Sequence, residues 1–277
     1  MSLPSGYTCP MALKCLAKAN ANTGKITDGA HQEYRCYAAM QEARHTKLRQ
    51  NRWDNFIALK KLNQKGMLNL LRTTLHNYHE TYIHNHGQRP IVRAHIGGDF
   101  FNEDYFKAWL DLARIYDPTQ FYSYTKRLDL WVKHIDKIPT NFNFNASRGG
   151  KLDHLIDEYK LKCAEVVLSP QEAKQKGLLI DDDDSLAYAG NTSFAQLIHG
   201  SQKAGSKASK ALSRLSHPKP KLSILSRSSC VQCRGQLVLS TGVVSRLCYW
   251  RILPITHAPS TACIRWRRRD LAFMQSS

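Results

Sequence analysis

Apolar positions change period along this chain, and the change divides it. Over residues 38–65, Arg52, Trp53, Phe56, Leu59 and Leu62 recur at helical spacing, and Gly66 is placed to end the run. Leu68, Leu71, Leu75, Tyr78 and Tyr82 predict a second helix over 67–86, with Gly87 as its stop. Then the character shifts. Residues 91–96 form a short β-rich run broken by Gly97-Gly98. Asn102 can cap a helix whose apolar stripe is Phe106, Trp109, Leu110 and Ala113, and Asp117-Pro118 stops it. Further strands are predicted over 121–125, 142–146 and 164–168, with helices over 130–138 and 154–161 between them. Ser169-Pro170-Gln171-Glu172 has the capping-box pattern that opens one more helix.

Strands starting near 91, 121, 142 and 164, each separated by one helix, are the mark of βαβ units. The expected fold class is α/β, with parallel βα repeats forming a partial, TIM-like barrel. A helical N-terminal preface precedes it and an irregular basic tail follows. The expected organisation is a cysteine-bearing segment and helical preface over 1–90, a βα core over 91–212 and a tail over 213–277. In parallel α/β folds the reactive residues gather at the carboxyl ends of the strands.

Charge sharpens the division. The formal net charge of +18 looks like a nucleic-acid signature, but residues 185–277 hold 14 Lys/Arg against a single acid, Asp270. Beyond Ser216 no helical or strand period is sustained, which marks the tail as disordered or not native to the domain. A functional reading of the same stretch is a basic arm that grips nucleic-acid phosphates, with Trp266 among Arg265, Arg267, Arg268 and Arg269. The first residues have neither a basic nor an apolar leader region, and no stretch approaches the roughly 18 apolar residues of a membrane span. The expectation is a cytoplasmic protein, without a membrane partner, whose thiols stay reduced.

The strand ends carry the candidate chemistry. Strand one ends in Gly97-Gly98-Asp99, strand two in Thr125-Lys126 and strand three in Ser147-Arg148. Paired glycines let backbone approach a ligand, and an adjacent acid can hold an amino group or a ribose hydroxyl. Lys126 and Arg148 could meet a carboxylate or phosphate. Together these seven residues outline a pocket for a small molecule.

Ahead of them stand Cys9, Cys15 and Cys36, spaced C-x5-C-x20-C. Thiolates suit zinc and iron-sulfur clusters alike, and both normally take four ligands, so three cysteines leave a position open. The plain alternative is three reduced cysteines packing as small hydrophobes. Other clusters read more simply: His76, His79 and Glu80 as a solvated helix face, Asp181-Asp182-Asp183-Asp184 as a hydrated loop that could hold Mg²⁺, and Cys230, Cys233, Cys248 and Cys263 as thiols without knuckle spacing.

Leu3-Pro4-Ser5-Gly6-Tyr7-Thr8-Cys9-Pro10, Cys15-Leu16-Ala17-Lys18 and Arg35-Cys36-Tyr37-Ala38-Ala39 resemble the opening of the gene product 88 domain of mycobacteriophages and bacterial genomes. The resemblance continues through Gly97-Gly98-Asp99-Phe100-Phe101, Tyr124-Thr125-Lys126, Ala146-Ser147-Arg148-Gly149-Gly150-Lys151 and Asp182-Asp183-Ser185, fades after about Leu212, and by itself implies no activity. A more distant likeness is to radical SAM enzymes. Carried over by position, it implies that Cys9, Cys15 and Cys36 ligate an iron-sulfur cluster, that the open iron takes S-adenosylmethionine, and that Gly97, Gly98 and Asp99 meet its amino group. The cysteine spacing departs from the compact C-x3-C-x2-C loop of those enzymes. The functions in play are therefore a phage-type metalloprotein, with zinc as the alternative metal, a nucleic-acid-binding protein acting through the tail, and a scaffold with packed cysteines.

Overall fold

The computed structural model describes residues 1–216. The chain opens in an antiparallel hairpin of β1 (Ala17–Ala19) and β2 (Ile26–Asp28), with Ala17 opposite Asp28. Three helices follow: α1 (Tyr37–Arg44), α2 (Thr46–Leu59) and α3 (Gln64–His86). The single helix expected over 38–65 is two, because His45 takes extended backbone (φ −118°, ψ 98°) between them. Gly66, expected as a stop, lies in the first turn of α3. Asn63 accepts the Gly66 N–H at 3.0 Å, and this cap starts the helix ahead of Met67. Gly87 ends it in the left-handed region, at φ 65°, where a glycine carries no Cβ penalty.

From here strands and helices alternate: β3 (Val92–Arg93), α4 (Glu103–Ile115), β4 (Phe121–Thr125), α5 (Leu128–Lys133) with a 3-10 turn at Ile135–Lys137, β5 (Phe142–Ser147), α6 (His154–Glu158), β6 (Cys163–Val167) and α7 (Pro170–Gln175). Then come β7 (Leu179–Ile180), α8 (Ser185–Tyr188), β8 (Phe194–Leu197) and α9 (Lys207–Ser216). Strands β3 to β8 form one six-stranded sheet in the order β3-β4-β5-β6-β8-β7, and every pairing is parallel. The four strands read from the sequence are β3 to β6. The other two were not foreseen, and β8 enters between β6 and β7.

The alternation Phe142, Asn143, Phe144, Asn145 shows how the sheet is sided. Phe142 and Phe144 join Phe121 in a core with Leu71 of α3, Phe106 and Trp109 of α4, Trp131 of α5 and Ile156 of α6. Each fully buried aromatic or aliphatic side chain there contributes roughly 1.5–3 kcal/mol. The asparagines face the other way. Asn145 donates to the carbonyls of Ser123 at 3.2 Å and Ala187 at 3.1 Å, and Asn143 donates to Tyr188 O, so α8 is held against that second face. Tyr122, Ala164, Ala187 and Phe194 pack there.

Leu3, Leu59 and Met67 share the first core with the sheet, so the cysteine segment and the helical preface pack as one body with the βα units. Helix α9 runs past Leu212, its Ala208 and Ala211 packing with Ile198. The basic tail beyond Ser216, with Cys230, Cys233, Cys248, Cys263 and the arginine run, lies outside the described residues. Among those described, no helix is long and apolar enough to cross a membrane.

Candidate functional site

The first 36 residues run as a strap across the carboxyl ends of the strands. Leu3 N–H donates to Gly97 O at 2.8 Å beyond β3, while Lys14 N–H donates to Gly149 O at 2.9 Å and Lys151 N–H to Met11 O at 2.9 Å beyond β5. The β1–β2 hairpin then returns the chain, and Cys36 N–H reaches Cys15 O at 3.3 Å. That return makes neighbours of cysteines far apart in sequence.

Cys9, Cys15 and Cys36 all line one cavity, together with residues 96–99 past β3, Tyr124, Thr125 and Lys126 at the end of β4, Ser147 of β5, Val166 of β6 and Gln196 of β8. The three thiols are free and partly buried. Burial pushes Cys9 well above the usual thiol range, and Asp99 and Cys36 add to the shift. Cys36 is pushed up to about 11 by burial and then by Cys15, against the pull of the Ala39 and Ala38 N–H groups. Cys15 adds to the upward shift of both Cys9 and Cys36, so the three sulfurs lie near one another as a soft donor set that a cationic centre would stabilise as thiolates. Among the described residues no three His, Cys, Asp or Glu side chains group as a single metal ion would need.

The glycine pair is required by packing as well as by the cavity. A Cβ on Gly97 would stand 2.8 Å from Arg52 Cζ, and one on Gly98, at φ +85°, would stand 2.5 Å from Thr8 Oγ1 and 2.6 Å from Leu3 Cβ. Asp99, 4% exposed, accepts from Phe100 N–H (2.8 Å), Thr125 Oγ1 (2.6 Å) and Lys126 N–H (2.8 Å). Three of its roughly four lone-pair positions are filled, leaving one on Oδ2. Burial raises its pKa, while these donors pull the other way. Lys126 Nζ donates to Ser147 O (2.6 Å), Ser147 Oγ (2.8 Å) and Arg148 O (3.2 Å). Its three protons thus tie β4 to β5, and the Asp99 carboxylate feels its charge without an ion-pair contact to it among the described residues.

Arg148 stands apart from the other six strand-end candidates. Its side chain is not part of the cavity lining; Nη2 binds Asp157 at 2.9 Å and Nε lies 3.9 Å from Glu165. Two other clusters are only partly solvated: His76, Glu80, Asp182 and Asp183 are exposed, and their neighbours are built into the fold. His79 is buried, not solvated, with Nε2 2.8 Å from Thr119 Oγ1. Two members of the aspartate quartet are likewise no hydrated loop. Asp181 accepts from Leu186 and Ala187 N–H groups, and Asp184 gathers Tyr122 Oη (2.9 Å), Tyr124 Oη (2.6 Å) and Arg93 Nη1 (3.0 Å).

Several cavity residues were missed from sequence: Tyr34, Tyr37, Arg93, His95, Gln196 and His199. Arg93 and His95 could have been found, since two polar residues at strand period leading into Gly97-Gly98 are unusual for a buried parallel strand. His95 is 3% exposed, its Nδ1 lies 3.4 Å from Ser123 Oγ, and its Nε2, 4.0 Å from Asp99 Oδ1, has no hydrogen-bond partner among the described residues. Burial, then the nearby chain terminus and Arg93, lowers its pKa to about 3, so the ring is neutral at pH 7.

No curated protein and no solved structure matches the chain. A family model described as gene product 88 matches residues 1–236, which takes in the first part of the segment expected to be a foreign tail. With the motifs of the strap and the strand ends inside that match, the chain belongs to the gene product 88 family.

Proposed function

We propose that this protein is a metalloprotein that binds a small molecule at the carboxyl-end mouth of its sheet, with Cys9, Cys15 and Cys36 holding an iron-sulfur cluster in a radical SAM-like arrangement. The observation that carries this reading is the convergence of three free thiols and five strand ends on one cavity. In a cluster each thiolate takes a different iron, so the sulfurs need not crowd as they must around one zinc ion. When bound, such a cluster supplies one-electron chemistry and, with three protein ligands, an open coordination position.

The chain's own residues supply the rest. Gly97, Gly98 and the remaining lone pair of Asp99 form one wall, and Thr125, Lys126 and Ser147 a second whose positive charge favours a carboxylate. S-adenosylmethionine has both an ammonium and a carboxylate and is the ligand we propose. A partial-barrel curvature is supported by the sequential parallel order β3-β4-β5-β6. Free thiols also suit a reducing compartment such as the cytoplasm.

The test is the full-length protein purified without oxygen, with iron, sulfide and zinc measured beside the visible spectrum. Brown protein with iron and sulfide, lost in Cys36→Ala and kept in Cys163→Ala, is the expected result, and S-adenosylmethionine cleavage is then the activity to assay. Colourless protein holding only zinc, or no metal after anaerobic reconstitution, overturns the cluster.

A further inference from the structure

Glu42 of α1 and Arg52 of α2 form an ion pair sealed from solvent, Oε1 to Nη1 at 2.6 Å, with side chains 0% and 2% exposed. In the sequence Arg52 counts only among the helically spaced positions of 38–65, and Glu42 gives no signal. Their other contacts lead away from the helices. Glu42 Oε1 also accepts the Ser5 N–H at 3.0 Å, four residues before Cys9. Arg52 donates from Nη1 to Ala38 O at 2.9 Å and from Nη2 to Gln41 Oε1 at 3.1 Å, in the helix whose N-cap is Cys36. On its far side the guanidinium lies against Gly97, where an added Cβ would meet Cζ, Nη1 and Nη2 at 2.8–3.1 Å. The strap carrying Cys9, the helix start carrying Cys36 and the glycine loop therefore meet on one pair of charges.

Stability alone is a poor reason for that pair. Taking two charges out of water costs about as much as their attraction returns, and a well-packed apolar pair of similar volume is often as stable or more so. Here the desolvation is also incompletely offset, since Glu42 Oε2, Arg52 Nε and Ser5 Oγ are buried without hydrogen-bond partners among the described residues. What an apolar pair cannot do is fix the direction of the Ser5 N–H, the Ala38 carbonyl and the Gly97 backbone at once, because dispersion contacts have no direction.

We propose that Glu42 and Arg52 are positioning residues that set Cys9 and Cys36 against Gly97-Gly98 and so hold the mouth in working geometry. The inference rests on the reading that the mouth thiols are working groups, and its test is independent of any metal. In the metal-free full-length chain, iodoacetamide alkylation of each cysteine is followed by peptide mass spectrometry, with folding checked by circular dichroism. Glu42→Gln and Arg52→Lys should raise the rates at Cys9 and Cys36 roughly tenfold relative to Cys163, the change that follows when local opening becomes easier by about 1.4 kcal/mol. Leu75→Ala, a core truncation in α3 remote from the pair, controls for general loosening and should leave the ratio unchanged. Gly97→Ala, which presses on the guanidinium while keeping both charges, should reproduce the effect and decides the matter where a charge variant does not fold. Unchanged ratios in the folded variants, or a rise shared equally by Cys163, overturn the proposal. A chain that binds no cluster still answers, so failure of the cluster and failure of the positioning pair are separable.

Discussion

Asp184 gives the sharpest stability prediction, because one carboxylate there organises the second face of the sheet. It accepts the phenols of Tyr124 at 2.6 Å and Tyr122 at 2.9 Å and pairs with Arg93 at 3.0 Å. Burial, then the carboxylate itself, pushes both phenols well above their ordinary pKa, so they remain donors at neutral pH. Two charge-assisted bonds at the low end of their range contribute about 1.5 kcal/mol each. Arg93 and Asp184 are 22% and 16% exposed, so after solvent screening the ion pair adds under about 1 kcal/mol. Asp184 also sits at φ 63°, where a side chain with Cβ is strained by about 1 kcal/mol. Asp184→Gly should therefore lose about 3 kcal/mol of unfolding free energy, and Asp184→Ala about 1 kcal/mol more. Tyr124→Phe, which also takes the acceptor from Gln196 Nε2 (3.0 Å), should lose about 2.5 kcal/mol alone and only the Gln196 share, about 1 kcal/mol, in the Asp184→Gly background. Equilibrium urea unfolding, followed by far-ultraviolet circular dichroism and tryptophan fluorescence, measures all four. An Asp184→Gly protein within about 1 kcal/mol of wild type, or additive losses in the double variant, would refute the hub.

Gly98→Ala should displace the strap, since the new methyl meets Thr8 and Leu3 on a left-handed backbone; faster limited proteolysis within residues 3–8 and a lower Tm are the expected readings, and an unchanged melt would count against the packing argument. Glu103, bonded by Lys133, Lys107 and His134, is lowered from 4.5 to about 2, so its contribution is complete above about pH 4.5 and is lost as pH falls toward 2. Glu103→Gln should flatten the acid limb of a stability-versus-pH curve across that window, and superimposable limbs would show that the clamp does not act in solution. Lys162 Nζ donates to Leu186 O at 2.6 Å and Ala187 O at 3.1 Å and also reaches Gly190 O; Lys162→Met should speed amide hydrogen exchange over 186–190 roughly tenfold while leaving β4 and β5 protected.

Much of the framework was legible because its signals are local. Asn102 and Ser169 cap α4 and α7 through side-chain oxygens that the adjacent pattern exposes, and the Phe/Asn alternation of β5 marks its two faces directly. What stayed hidden depends on distant partners. Leu179–Ile180 and Phe194–Leu197 are too short to show a period; β6 places the second in the sheet, and the second places the first. Arg52 reads as part of an amphipathic helix until Glu42, Ser5 and Gly97 are brought to it. The candidate site divides in the same way. The strand ends were visible as glycine and polar punctuation, but only the hairpin return shows that Cys36 rejoins Cys15. Nothing near Arg148 in sequence says that Asp157 draws it away from the cavity.

The strap has a consequence for biosynthesis. Leu3 must wait for Gly97, Lys14 for Gly149, and the backbone of Arg35 for the side chain of Gln202, 167 positions later. A chain emerging from the ribosome at about 5–20 residues per second thus shows its three mouth thiols first and can cover them only after β8 has been made. Closure by such distant contacts is slow compared with helix formation. The interval leaves the thiols open to oxidation and mispairing, so the yield of refolded protein should depend more steeply on reductant than the partly buried mouth thiols of the finished fold would suggest.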